Sequence, residues 1–358
     1  MEGRILSIQS HVAFGYVGGK AAAFPLQCLG YDVDLVNTVN YSNHAGYGRS
    51  GGTKTSAAEL DSIFEAMEVN ELLIPNRLLT GYIPNAEALN AVARLVEKLR
   101  TQKPELIYLL DPVMGDAGRL YVAADVVPVY RRLLPFSTII TPNWFEVETL
   151  TEIPLTDMRS LRRALSKLHK EYGVPNVAIS SIPLTPWLSE SLPDAIKPHA
   201  DLQSEHLLCL TSTSSLTSKE TPHVSQVHTQ CVPLLPGYFS GVGDLFSALV
   251  LAHYNPSSDD SSSVLASSRT TTSFSEAVSQ ALTKTHAVLC KTHEYSENLP
   301  EDERQVSDDE KDAVEPLRKI RRMRGRELRL VQSIDIIRGD FGDATRRLES
   351  WSEFWEQP

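Results

Sequence analysis

The chain has 358 residues, 42% hydrophobic and 22% charged, with 45 acidic residues against 34 basic ones and a formal charge of −11. That composition describes a globular protein able to bury a core without disulfides, and the acidic balance excludes the basic footprint of a nucleic-acid binder. Cys28, Cys209, Cys231 and Cys290 are scattered with neither C-x-x-C nor zinc spacing, and the N-terminus carries no long apolar run, so the expectation is a cytoplasmic chain with reduced thiols and no membrane segment.

Arg4–Ser10 reads as an apolar strand that opens into a loop at Gln9-Ser10-His11. Phe14-Gly-Tyr-Val-Gly-Gly-Lys20 imitates a phosphate-binding P-loop but fails: Gly15 and Gly19 stand one residue too close, and Ala21 takes the place of the magnesium-binding hydroxyl. Ala21, Phe24 and Leu29 predict a helix ending near Gly30, and the alternation over Tyr31–Val39 predicts a second strand. In the polar loop Tyr41–Gly48, His44 either caps the loop or touches a ligand. Leu60, Ile63, Phe64 and Met67 have helical spacing, as do Leu89, Val92, Val96 and Leu99. Between them Leu78–Ile83 is a strand with Tyr82 at its end. Leu106–Asp111, Ser137–Thr141 and Val177–Ser180 are continuous apolar runs, the mark of buried strands. Strands alternating with helices predict a mostly parallel sheet covered on both faces, with ligands at the carboxyl ends of the strands. The polar clusters around Ser10, Tyr82, Asp111–Asp116, Thr141–Glu146 and Ser180-Ser181 all fall there.

Residues 182–236, rich in Ser, Thr, Pro and His, are expected to be irregular edge strands and loops, and 255–272 a mobile Ser/Thr/Asp loop. Phe274–His293 returns to helical spacing. The acidic-then-basic stretch 294–325 reads as a solvated insertion, Arg326–Gln332 as a last strand, and 339–358 as a polar tail whose Trp351, Phe354 and Trp355 have no evident role.

Three stretches carry chemistry. Gly241-Val-Gly-Asp244 is a glycine turn followed by an apolar helix, so free N–H groups of the first helical turn can receive an anion. An acid at that pole repels phosphate, so Asp244 is either an N-cap or a base that takes a proton from an attacking hydroxyl. Asp111-Pro-Val-Met-Gly-Asp116 sets two carboxylates at and beyond a strand end, and magnesium takes one or two carboxylates with water and phosphate oxygens. Asp116 is the preferred metal residue; Asp-Pro is also a turn opener. In Thr141-Pro-Asn-Trp-Phe-Glu146, Asn143 can donate to phosphate and Glu146 can bind metal-bound water, or the three polar residues cap a helix; both can hold. Ser10 and Tyr82 offer hydroxyls to a polar ring substrate.

Taken together, Leu6-Ser-Ile-Gln-Ser-His-Val12, Phe24-Pro-Leu-Gln27, Ser42-Asn-His44, Leu79-Thr-Gly-Tyr82, Asp111-Pro-Val-Met-Gly-Asp116, Ile140-Thr-Pro-Asn143, Gly241-Val-Gly-Asp-Leu-Phe246 and Glu327-Leu-Arg-Leu-Val-Gln-Ser333 resemble the pyridoxal kinases of the ribokinase-like superfamily. The resemblance covers most of the chain to Ser181, then 237–255 and the closing strand. It implies a ribokinase-like three-layer α/β/α kinase domain over 1–338, with insertions at 182–236 and 294–325. It implies ATP-dependent phosphorylation of the 5′-hydroxymethyl group of pyridoxal, pyridoxine or pyridoxamine. Asp244 then matches the catalytic base and Gly241, Val242 and Gly243 the anion hole, with Gly243 also on the nucleotide side. Ser10, Val17, His44 and Tyr82 match the substrate pocket. Asp111, Asp116, Asn143 and Glu146 match the nucleotide–Mg²⁺ side, Thr141 and Ser180 a monovalent-cation site (K⁺ or Na⁺), Ser181 the ATP phosphates and Tyr121 a lid residue. A homodimer is implied, with neither nucleic acid nor membrane as partner. Ala45 departs from a frequent Thr, removing a ligand hydrogen bond worth about 0.5–1.5 kcal/mol. Val242 also departs from a frequent Thr but keeps its N–H, and the lid between Asp116 and Tyr121 is short. The rival readings are a sister kinase for hydroxymethylpyrimidine, a sugar or a nucleoside, and a vitamin-binding regulatory protein.

Overall fold

The computed structural model describes residues 3–198, 205–214, 224–256 and 271–356. The chain opens with β1 (Arg4–Val12), α1 (Gly19–Cys28), β2 (Asp32–Tyr41) and β3 (Gly52–Lys54). It continues through α2 (Ala57–Val69), β4 (Arg77–Thr80), α3 (Ala86–Gln102) and β5 (Ile107–Leu110). A small hairpin follows, β6 (Gly115–Asp116) with β7 (Arg119–Leu120), then α4 (Val126–Leu133), β8 (Ile139–Ile140), α5 (Trp144–Thr151), α6 (Met158–Lys170) and β9 (Asn176–Pro183). Next come α7 (Pro186–Ser191), β10 (His206–Ser214), β11 (Ser225–Pro233), α8 (Val242–His253) and α9 (Ser273–Glu297). The chain closes with α10 (Asp309–Val314), α11 (Pro316–Gly325), α12 (Ile334–Arg338) and β12 (Glu349–Ser350).

Outside the hairpin the strands form one sheet, ordered β12-β11-β10-β9-β8-β5-β4-β1-β2-β3. The strands from β2 across to β9 pair parallel, while β3 and β10–β12 add antiparallel edges. Pleating sorts each strand's side chains into two cores. Leu6, Ile8, Leu78, Tyr108, Leu110, Ile140 and Val177 pack with α2–α6 on one face. Ile5, Leu79, Leu109, Ile139 and Ala178 pack with α1, α8 and α9 on the other. Strands buried on both faces are apolar throughout, which is why they read as continuous runs. The result is a three-layer α/β/α fold. From β1 the chain lays down β2 and β3 on one side, then β4, β5, β8 and β9 in turn on the other. The order reverses between β1 and β4, so the ligand crevice opens at their carboxyl ends.

Several expectations change. Residues 182–236 hold two regular nine-residue strands, β10 and β11, in continuous antiparallel register. Some of their hydroxyls bond inside the sheet, Thr211 donating to the His228 carbonyl at 3.3 Å and Ser212 to Ser225 at 2.7 Å, so polar composition hides a buried strand pair. No strand forms over 326–332; Val331–Ser333 is a 3-10 turn. Leu328 and Leu330 are nonetheless buried, so their alternation reports burial without sheet pairing. The segment 294–325 is largely exposed, as expected of a solvated stretch, yet it is structured: α9 runs into it, α10 and α11 follow, and its acids meet its bases in Arg324–Glu303 (2.7 Å), Arg321–Asp302 (3.2 Å) and Arg322–Asp312. The polar tail is tied into the body. β12 pairs with β11, and Trp351 (2% exposed) and Phe354 (0%) enter the first core in T-shaped contact at 5.1 Å. Of the expected mobile loop, residues 257–270 lie outside the described residues.

Candidate active site

Helix α8 begins at Val242, with Gly241 as its N-cap at φ 81°. A Cβ at Gly241 would collide with the Tyr16 carbonyl oxygen and sit 3.1 Å from the Tyr16 carbonyl carbon, so only glycine lets the Tyr16–Gly18 turn lie against this helix end. The first intrahelical bond is Leu245 N–H to the Gly241 carbonyl, 3.0 Å, which leaves the N–H groups of Val242, Gly243 and Asp244 ahead of the helical ladder. Gly241, the N-cap residue, supplies no side-chain hydrogen bond to this end. The N-cap reading of Asp244 is therefore replaced: it sits in the first turn, and its Oδ2 accepts the Gly18 N–H at 2.7 Å. Burial pushes its carboxyl pKa up and the Gly18 bond pulls it down, with burial the larger effect.

The same turn seats the vitamer-side candidates. Gly18, at φ +54°, lies so close to Ser10 that a Cβ would sit 2.9 Å from the Ser10 carbonyl carbon and run into its hydroxyl. Val17 is half-buried between Tyr16 and Gly18, its Cα 3.3 Å from the Cβ that Gly241 lacks. Ser10 is buried at the end of β1, and half-buried Tyr82 follows β4, so both border the crevice between those strands. Burial raises the Tyr82 phenol pKa. His44 is buried, and both ring nitrogens are engaged within the protein. Nδ1 accepts the Gly46 N–H (3.1 Å) and the Ser240 hydroxyl (3.2 Å), and Nε2 meets Glu327 at 3.0 Å. His44 thus caps its loop and braces the residue before Gly241 at once.

Across the crevice stands the nucleotide-side set. Asp111 is 4% exposed; its Oδ2 accepts the Ser247 hydroxyl at 3.0 Å, and Ser247 also meets the Thr141 hydroxyl at 2.8 Å. Ser247 lies one helical turn after Asp244, so α8 ties the acid of one strand end to the hydroxyl of the next. Burial raises the Asp111 pKa, and repulsion from Glu146 and Asp244 raises it further. Glu146 (3% exposed) completes a capping box with Asn143, and its oxygens accept the N–H groups of Asn143 (2.9 Å) and Met114 (2.9 Å). Burial lifts its pKa to about 8 despite those donors. Asn143 also donates to the Gly115 carbonyl at 2.8 Å, so this pair shapes the Asp111–Asp116 loop. Asp116 is exposed on the hairpin, where its side chain accepts the N–H of its neighbour Ala117 at 2.7 Å. Tyr121 is 54% exposed and shares its surroundings with Asp116, Tyr238 and Glu146. Ser180 and Ser181 lie in the second half of β9, where the Ser180 N–H meets the Pro142 carbonyl at 3.3 Å.

Among the described residues, no three His, Cys, Asp or Glu side chains converge as a metal cluster. Glu146 has its oxygens committed to backbone donors, whereas Asp116 can turn toward an ion. Mutually repelling carboxyls at Asp111, Glu146 and Asp244 are what a cation carried by phosphate oxygens would relieve, and magnesium needs few protein ligands. The donor set therefore fits a nucleotide-borne ion and not an all-protein cage.

Sequence reasoning missed Glu327, Ser240 and Ser247. Ser247 could have been found at helical spacing from Asp244. Glu327 stands in the sequence as the head of the Leu-Arg-Leu run of the closing stretch, with no local sign of its distant partners.

A family model described as Phosphomethylpyrimidine kinase matches residues 46–191. The chain is 39% identical to a pyridoxal kinase of Arabidopsis thaliana over 72% of this chain and 76% of that one. It is 34% identical to a putative pyridoxal kinase of Schizosaccharomyces pombe over 92% and 89%. The solved pyridoxal kinase of Leishmania donovani in complex with ADP and pyridoxamine superposes with a TM-score of 0.73 at 30% identity, covering 98% of this chain and 99% of that one. Those identities run over most of both chains and accompany a shared fold, and on that ground the chain belongs to the pyridoxal kinase family.

Proposed function

We propose that this chain transfers the γ-phosphoryl group of ATP to the 5′-hydroxymethyl group of pyridoxal, pyridoxine or pyridoxamine. The observation that carries the reading is Asp244, fixed by the Gly18 N–H at 2.7 Å between a turn against Ser10 and three N–H groups ahead of the helical ladder. Asp244 takes the hydroxyl proton as the oxygen attacks in line. The N–H groups of 242–244 receive the negative charge that builds on the transferring group. Ser10, Val17 and Tyr82 hold the pyridine ring, with His44 bracing the loop beside them. Asn143 and Glu146 shape the nucleotide-side loop, and Ser181 and Tyr121 border the nucleotide. A divalent ion bound with ATP would screen the phosphates, held from Asp116 directly or through water. A monovalent ion would sit by Asp111, Thr141 and Ser180.

The kinase domain expected over 1–338 takes in the tail as well, since β12 pairs with β11 and Trp351 and Phe354 enter the first core. The cysteines Cys28, Cys209, Cys231 and Cys290 are all free, which supports a reducing, cytoplasmic setting, and no helix among the described residues is long and apolar enough to cross a membrane. Val69, Leu72 and Ile74 lie exposed at and after the end of α2, which supports a homodimer. The deciding test is ADP release on pyridoxal, pyridoxine, pyridoxamine and hydroxymethylpyrimidine side by side. The family model's own description favours the pyrimidine as the second reading. Turnover of hydroxymethylpyrimidine with none of the vitamers would overturn the assignment.

A further inference from the structure

One buried carboxylate outside the reacting groups ties the site together. The Glu327 side chain is 11% exposed and accepts three hydrogen bonds. Oε2 takes the Tyr16 N–H at 2.9 Å; Oε1 takes the Tyr47 hydroxyl at 2.8 Å and faces His44 Nε2 at 3.0 Å. Because His44 Nδ1 accepts from Gly46 and Ser240, the neutral ring carries its proton on Nε2 and donates to Glu327. Two arms leave this carboxylate. One runs through Tyr16 to Gly18, whose N–H holds Asp244. The other runs through His44 to Ser240, the residue before Gly241. The approach is close: a Cβ at Gly15 (φ +91°) would sit 2.6 Å from Glu327 Cδ. The turn has no slack on its other sides either, since Gly18 abuts Ser10 and Gly241 abuts Tyr16.

We propose that Glu327 is a positioning residue for phosphoryl transfer, clasping the 14–18 turn and the 240–241 turn so that Asp244 is held at the acceptor hydroxyl. The inference rests on the kinase reading above. Burying an acid carries a desolvation cost, and filling the gap with apolar atoms would avoid it. A carboxylate suits this place because Tyr16 of one loop and His44 and Tyr47 of another converge on it with three donors, and among the described residues Glu327 is the acceptor that they share. Glu327 touches neither reacting group, so it acts through Gly18 and Ser240.

The test is a double-mutant cycle with Glu327→Gln and Asp244→Asn, read as kcat and KM for pyridoxal and ATP. The amide keeps the side chain's size but presents a donor to at least one of the three donors. In the wild-type background kcat is expected to fall about ten- to hundredfold, as for a misplaced reacting group, with KM for ATP unchanged. In the Asp244→Asn background, followed with labelled ATP over hours, the same substitution is expected to cost little, because the group it positions is gone. Tyr47→Phe removes one hydrogen bond from the same carboxylate without touching either arm, and is expected to leave kcat near wild type. A purely structural carboxylate would give equal losses in both backgrounds, or equal losses for Glu327→Gln and Tyr47→Phe; either result overturns the proposal. Should Glu327→Gln fail to fold, Glu327→Asp replaces it: one methylene shorter, it cannot span both arms, and the same pattern is expected. A wild-type protein that phosphorylates no vitamer overturns the kinase reading itself, a result distinct from an active wild type with additive variants.

Discussion

Asp244→Asn removes one proton-accepting oxygen and keeps nearly everything else. The amide oxygen can still accept the Gly18 N–H that Oδ2 now receives at 2.7 Å, so the Tyr16–Gly18 turn stays in place. A positioned base contributes about 10²–10⁴ in rate, equivalent to about 3–5 kcal/mol of barrier. Turnover of pyridoxal should therefore fall by two to four decades while ATP affinity is retained. Stability should not fall with it. Burial raises the Asp244 pKa above its unfolded value, so the folded state binds more protons between the two values and stability declines as pH rises through that window. At neutral pH the ionised acid is a liability that the amide lacks, so the melting temperature should hold or rise. The acid limb of the wild-type kcat profile should lie above the ordinary aspartate range and vanish in the variant. The assay is coupled ADP release across pH, with calorimetry for ATP and a thermal melt. Turnover within one decade of wild type would remove Asp244 from the mechanism, and a large drop in melting temperature would show that its role is structural.

Two further outcomes follow from packing. Gly241→Ala must hold a positive φ, costing about 1–2 kcal/mol, and its Cβ must displace the Tyr16 carbonyl. Melting temperature and kcat should both fall, whereas Gly243→Ala, whose Cβ meets nothing within 4 Å, should leave the melting temperature unchanged; equal melting temperatures would refute the close-approach argument. Trp351→Ala should cost about 3–5 kcal/mol in denaturant unfolding, because the ring is 2% exposed within the first core, and a cost below 1 kcal/mol would mean that the tail is dispensable.

Sequence alone determined the parts that chemistry and period write locally. Apolar runs such as Ile107–Leu110 and Ile139–Ile140 announced strands buried on both faces, and helices with intervening polar strand ends announced a crevice along one sheet edge. The Gly241–Asp244 turn could be read because glycine, acid and helix lie within a few residues of each other. Only the tertiary structure decided what depends on distant partners. Polar β10 and β11 become buried strands once each supplies the other's hydrogen bonds. Trp351 and Phe354 gain a purpose only where the first core receives them. Glu327 meets the Tyr16 amide across 311 positions of chain, and no local pattern encodes such a contact, because a lone acid before two leucines looks the same whether it faces water or three converging donors.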